Sequence, residues 1–250
     1  MSDWFRFEIL VEYAPLFQKG LATTILITLI GVVGGTCLGL VLGVAQLLQN
    51  ERGTTDWILR LTVRTPAKLY VTFFRGTPLF VQILLVHFAL MPQLIHADSG
   101  WLISGELART IKQDYGAFLS GSVALILNAA AYIAEIFRAG IQSLDRGQME
   151  AARSLGFSYL QSLRLIIVPQ AFRRMLPPLA NEAIMLLKDS SLVSTIGLAE
   201  IAYAARTVAG AYARYWEPYL AISLMYLVLT LTMAHFAGLL EKKYGSSDQR

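Results

Sequence analysis

Residues 20–48 carry no charged side chain. This run constrains the fold more than any other feature. A bilayer core of about 30 Å is crossed by roughly 20 apolar residues in a helix. In hydrocarbon, an open-ended segment satisfies its backbone hydrogen bonds only as a helix. Four further apolar stretches follow at about 69–95, 115–141, 178–201 and 219–240. Composition agrees: 15% of the 250 residues are charged and 55% hydrophobic, against about 25% charged in soluble domains. The expectation is an all-α, polytopic membrane protein, one domain over 1–250 with about five transmembrane helices. The fourth is the most polar, since Glu182, Lys188 and Asp189 are costly against lipid and must face protein or a wet cavity.

Charge sets the orientation. In a five-span arrangement, loops 49–68, 141–177 and 241–250 hold twelve Lys and Arg, and the opposite side holds six. Basic residues are retained on the cytoplasmic side, so the N-terminus is expected outside and the C-terminus in the cytoplasm. The net charge of +4 is read as this bias and not as nucleic-acid binding. The first 20 residues lack the basic start and apolar run of a signal peptide, and the polar tail 245–250 reads as disordered. The single Cys37 forms no disulfide within the chain. Gly31, Gly35, Gly39 and Gly43 recur every four residues, a smooth face that lets helix backbones approach closely.

No catalytic constellation appears. His87, His96 and His235 are not spaced with carboxylates as metal ligands, and no Gly-x-x-x-x-Gly-Lys-Ser/Thr phosphate loop is present. The chain is expected to be non-catalytic, with no metal or cofactor of its own.

The 141–177 loop is unusual. Residues 148–155 are good helix formers and Gly156 is placed to end them. A second helical stretch runs to about residue 167, where Pro169 breaks or kinks it. Ala151 and Ala152 give the first helix a low profile. Such a helix suits docking into a partner's groove, and equally suits lying on the bilayer.

The order Glu150-Ala151-Ala152, three residues, Gly156, nine residues, Ile166, one residue, Val168-Pro169 resembles the EAA loop of ABC-importer permeases. Only Val168 departs from it, standing where the family has leucine. Phe74-Arg75-Gly76-Thr77-Pro78 with Gln82, the segment 132–141, and Leu187-Lys188-Asp189-Ser190-Ser191-Leu192 resemble the polar amino acid uptake branch. The segment 96–114 lies outside these motifs. The resemblance implies a type I ABC importer permease fold in the cytoplasmic (inner) membrane. It implies a second permease subunit, the same chain or a homologue, and an extracytoplasmic amino acid-binding protein. It also implies an ABC ATPase dimer that holds ATP and Mg and receives the loop helix. Glu150, Ala151, Ala152, Gly156, Ile166 and Pro169 would form the ATPase-coupling element. An ion-gradient-driven secondary amino acid transporter is the alternative, since it too needs intramembrane charges.

An amino acid zwitterion needs donors for its carboxylate and acceptors for its ammonium. Asn128, Tyr132 and Glu135 share one helical face. Asn181 and Lys188, and Glu182 and Asp189, are each seven apart, forming adjacent stripes. Asn128, Glu135, Asn181, Lys188 and Asp189 are expected to line the pathway, with Gln82 at its margin. Lys188 would meet a carboxylate, and Asp189 or Glu135 an ammonium. Competing roles are a Glu135–Arg138 pair at i, i+3 and a Lys188 that merely neutralises a neighbouring carboxylate.

Overall fold

The computed structural model describes residues 4–48 and 53–244. The tail 245–250 and loop residue Arg52 lie outside the described residues. Twelve α-helices follow one another among the described residues: α1 (Phe7–Glu12), α2 (Ala14–Leu47), α3 (Gly53–Leu59), α4 (Thr65–Gly76), α5 (Leu79–Leu85), α6 (Met91–Leu94), α7 (Gly105–Gln142), α8 (Arg146–Ser154), α9 (Tyr159–Ser162), α10 (Val168–Asp189), α11 (Ile201–Tyr212) and α12 (Trp216–Tyr244). An isolated bridge, Ile95 to Ile103, is the one β-type pairing among the described residues.

The glycine face of α2 packs on α7. Gly31 abuts Leu125, Gly35 Ala129, Gly39 Ile133 and Gly43 Phe137. Both numbers rise together along this seam, so the two helices run parallel and in constant register. Alanines supply most of the opposing surface: Ala124, Ala129, Ala130, Ala131 and Ala134 are fully buried. Lipid is as apolar as leucine, so such helices associate by close packing rather than by water exclusion. Parallel α2 and α7 require one return crossing between them.

That return is a broken helix. The stretches Asp56–Gly76 and Leu79–Leu94 meet at 110°, so the expected 69–95 span is not one straight helix. Pro78 is the cause. It supplies no N–H and forces the residue before it out of helical geometry; Thr77 is extended, at φ −120° and ψ 147°. The carbonyls freed at the end of α4 need donors. The Gln82 amide supplies them, donating to Phe74 O at 2.8 Å, Thr77 O at 3.0 Å and Thr77 Oγ1 at 2.9 Å. Its own oxygen accepts from Asn128 Nδ2 at 2.9 Å, which ties the break to α7.

Two further differences have physical causes. α7 begins ten residues before the expected 115, at Gly105. Its first turns carry Glu106, Arg109, Lys112 and Asp114, which end a hydropathy run without ending a helix. At 1.5 Å per residue its 38 residues reach about 57 Å, well beyond a bilayer core. The expected 178–201 span is displaced as well. α10 starts at Val168 with Pro169 in its first turn, directly after a π segment over Leu163–Ile167. After Asp189 the chain tightens into a 3₁₀ segment (Ser190–Ile196) and turns at Gly197, φ +88°. α11 then starts anew from Glu200, whose carboxyl accepts from Ala202 N at 2.9 Å and Tyr203 N at 2.8 Å.

Among the described residues three helices, α2, α7 and α12, are long and apolar enough to cross a membrane, and the bent pair makes up to four. α10 falls short because it carries Arg173, Arg174, Glu182, Lys188 and Asp189. It survives in the bundle by packing against α7, α12 and α2. At the other end, Arg214 Nε donates to Glu217 Oε1 at 2.6 Å and Arg6 N donates to the same oxygen at 3.0 Å, fastening the N-terminal segment to the start of α12.

Candidate functional site: a loop helix joined to an intramembrane polar face

α8 is capped at both ends by its own sequence. Asp145 Oδ1 accepts from Gly147 N at 2.7 Å, an N-cap. At the far end Gly156 N donates to Arg153 O at 3.0 Å and Phe157 N to Ala152 O at 3.2 Å. This is the Schellman pair, and it requires the left-handed φ of +88° that Gly156 supplies. α9 opens with a capping box: Gln161 N donates to Ser158 Oγ at 3.2 Å, and Ser158 N to Gln161 Oε1 at 2.8 Å.

The two alanines of the loop motif separate. Ala152 faces inward and is buried, whereas Glu150 and Ala151 face out. Ile166 and Met149 pack on a core of Phe137, Leu144, Ile167, Ala171 and Met175, so Ile166 anchors the loop to α7 and α10. Gly156 and Pro169 are exposed. Further bonds fasten the loop to α10: Arg174 Nη1 donates to Ser143 O at 2.6 Å and Gln170 Nε2 to Gln148 Oε1 at 3.4 Å. The outward side is apolar; Leu155 is 79% and Leu160 69% exposed. From α9 the chain passes through a π segment (Leu163–Ile167) directly into α10, and Ile167 itself is helical at φ −74°, ψ −54°. Pro169 thus continues a helix and does not break one.

The six expected pathway residues occupy three places. Gln82 and Asn128 are buried and bonded to each other at the α4–α5 break. Glu135 is held by Arg138, Nη2 to Oε1 at 2.5 Å and Nε to Oε2 at 3.1 Å, with Arg75 Nη1 at 3.8 Å from Oε2. Arg75 also lies over the Tyr132 ring at 5.6 Å, which joins α4 to α7. Asn181 and Lys188 are exposed on one side of α10, with Met185 between them, and Asp189 is half-buried.

Two carboxyls outside the expected set are central. Glu182 is buried within electrostatic reach of Arg75 and Asp189; its heptad spacing to Asp189 was the available signal. Glu200 is fully buried. Besides capping α11, it accepts from Tyr226 Oη at 2.8 Å and Thr24 Oγ1 at 3.4 Å, joining α2, α11 and α12. No sequence spacing links those three positions. The described residues hold no cluster of three or more His, Cys, Asp or Glu fit for a metal.

Comparison with known proteins fits this architecture. The profile of the binding-protein-dependent transport system inner membrane components matches residues 59–246. The chain belongs to that permease family. The matched region takes in the broken helix, the capped loop and α10 through α12. The permease is 35% identical over 240 residues to the probable amino-acid ABC transporter permease protein YckA of Bacillus subtilis, covering 96% of this chain and 94% of that one. It is 35% identical over 242 residues to the arginine transport system permease protein ArtQ of the same organism, covering 97% and 98%. A crystal structure of an amino acid ABC transporter with histidines superposes with a TM-score of 0.79 at 36% identity, over 97% of the permease and 100% of that chain.

Proposed function

We propose that this permease moves a polar amino acid inward across the membrane, driven by ATP hydrolysed on a partner. The relatives named for amino-acid and arginine transport support the substrate class. The observation that carries the coupling is α8: doubly capped, followed by the exposed Leu155 and Leu160, and held against α10 by the Gln170–Gln148 bond, while α9 runs through the π segment into α10, whose far end bears Asn181, Lys188 and Asp189.

Glu150, Ala151, Ala152 and Gly156 form the end gripped by an ABC ATPase dimer, while Ile166 and Pro169 join that end to α10. The ATPase pair holds ATP and Mg; this subunit binds neither. Nucleotide closes the pair, α8 follows, and α10 tilts with it, a two-state element biased by a ligand bound elsewhere. A second permease, this chain or a homologue, completes the pathway, and a binding protein delivers the amino acid from outside. The N-terminus lies outside and α8 in the cytoplasm, as the basic loops favour. Lys188 meets the substrate carboxylate and Asp189 the ammonium. Gln82 and Asn128 stand at the margin, and Glu135 fixes Arg75 and Arg138 beside the pathway.

The test is crosslinking and transport in one preparation. With cysteine at Ala151 and Cys37→Ser, the permease is reconstituted with its ATPase and binding protein. Crosslinking to the ATPase that changes with ATP, together with ATP-dependent uptake of labelled amino acid, is the expected result. Uptake driven by an ion gradient without the ATPase, or labelling of the Ala151 cysteine from outside, would overturn the proposal.

A further inference from the structure

A cleft of ≈ 380 Å³ opens between the C-terminal end of α2, the face of α4 with the π segment before it (Arg60–Arg64), and the last turns of α7. Its charged lining is Arg64, Lys68, Arg75 and Arg138 against the single carboxyl of Glu135. The three basic residues from the α4 side, at 64, 68 and 75, fall on one helical face. Asp56 meets Arg64 at 3.0 Å, and Glu135 is shared by Arg138 and Arg75. Lys68, exposed at the mouth, makes no hydrogen bond or ion pair among the described residues. The cleft therefore keeps a positive excess after its internal pairs are counted.

A second observation points the same way. The Nε2 of Gln46, in the cleft wall, is buried and without a hydrogen-bond partner. A buried donor left unpaired is costly, and an incoming acceptor oxygen would satisfy it. The donors converging here, an amide N–H₂, an ammonium and guanidiniums, match a phosphate group, whose oxygens accept from several directions.

The surroundings favour a phosphate that carries acyl chains. On the same elements, Val44 is 43%, Leu61 58% and Leu69 65% exposed, so apolar surface flanks the charged cleft. Basic pockets between transmembrane helices hold lipid head groups in this manner. We infer that this cleft binds the phosphate of an anionic phospholipid, fastening the ends of α2, α4 and α7 to one lipid molecule. The inference is separate from the transport reading; its assay contains neither ATPase nor amino acid, so each stands or fails alone.

The full chain is purified in neutral detergent and titrated with phosphatidylglycerol, phosphatidylcholine or inorganic phosphate, with bound mass read by native mass spectrometry. Phosphatidylglycerol is expected to saturate one site at a concentration about tenfold below phosphatidylcholine. Lys68→Glu raises that concentration about tenfold, while Arg164→Glu, the same charge change at an exposed residue outside the cleft, leaves it unchanged. Glu135→Gln, which adds positive excess, lowers it and guards against a Lys68 variant that loses lipid only by misfolding. Displacement of the lipid by inorganic phosphate at equal concentration would overturn the lipid source in favour of a free phosphate. Equal binding of phosphatidylcholine, or unchanged phosphatidylglycerol binding in Lys68→Glu, would overturn the site.

Discussion

Replacing Gly35 by alanine places a methyl group where the α2–α7 seam has no room. Its carbon would lie 2.6 Å from Ala129 Cβ and 3.4 Å from the Ala129 carbonyl carbon and Ala130 N. Alanine has no rotamer with which to yield, so the backbones must part. Ordinary contact begins near 3.4 Å, which requires a local separation of about 0.8 Å. A gap of that size forfeits roughly a quarter to a half of each dispersion contact it opens. The loss extends to Gly31, Gly39 and Gly43 along the same rigid pair. Overpacking of this kind costs about 1–3 kcal/mol. Gly238 of α12 provides the control, since nothing lies within 4 Å of its added carbon, and there alanine brings a helix-propensity gain of up to about 1 kcal/mol. The assay is reversible unfolding in mixed micelles on a denaturing-detergent titration. The propensity gain is common to both helical sites and cancels, so Gly35→Ala should fall below Gly238→Ala by about 1–3 kcal/mol. Adding Ala129→Gly to Gly35→Ala removes the opposing methyl and should recover most of that loss, a coupling read from the double-mutant cycle. A Gly35→Ala protein as stable as Gly238→Ala, or a loss that Ala129→Gly does not repair, would refute the argument that this seam is set by backbone approach.

Gln82→Ala strips the α4–α5 break of its donors and should cost about 1–3 kcal/mol in the same assay; Asn128→Ala, which removes one bond, should cost less. Glu200→Ala leaves Ala202 N, Tyr203 N and Tyr226 Oη without their acceptor. It should therefore destabilise by more than Tyr226→Phe, whose single lost bond is worth about 1 kcal/mol. Leu155→Asp changes an exposed residue, so its unfolding midpoint should hold within about 0.5 kcal/mol while co-purification of the ATPase and ATP-driven uptake are lost. Lys188→Ala should raise the KM for uptake about tenfold, as loss of one charge-assisted bond implies, with ATPase docking intact; an unchanged KM would remove Lys188 from the pathway.

The class of fold was legible because lipid leaves few choices. An uncharged run such as 20–48 permits a helix and little else, and the four-residue glycine spacing named the face of α2 that packs. What the sequence hid was where polarity and helix part company. Glu106 through Asp114 bounded the third span on hydropathy grounds, yet those turns are helical and form the start of α7. Pro78 and Pro169 carry the same side chain with opposite effects. Pro78 follows the twelve residues of α4, so its ring and missing N–H end the helix. Pro169 follows directly on the π segment, and the helical path continues through it. Glu135 was readable as half of an i, i+3 pair, but the third member, Arg75, lies sixty positions away on another helix. Glu200 is the clearest omission. Its cap is local, but its bonds to Thr24 and Tyr226 exist only once three helices have met.

The same geometry constrains how a push on α8 could reach the pathway. A loop helix joined by a flexible linker would move without moving anything else. Here only the capped turn at Gly156 separates α8 from α9, and the path from α9 across the π segment into α10 is helical. Gln170 bonds α10 to Gln148 of α8, and Arg174 bonds it to Ser143 at the end of α7. From Val168 to Lys188 is about 30 Å of helix, so under the proposed coupling a tilt of a few degrees at one end becomes a shift of a few ångström at the other. A tilt needs a pivot. α7 and α10 pack tightly where Gly140 faces Met175, with an added Cβ only 2.3 Å from Met175 Cγ. An unbranched thioether against a bare backbone re-packs more cheaply than any branched pair. The buried carboxyl of Glu182 lies two turns further along α10, on the pathway side of that pivot. Under the proposed coupling, a tilt about Gly140 would therefore change its distance from Arg75 on the broken helix, so the charge that must be compensated in the membrane would be moved by the displacement proposed to open the path.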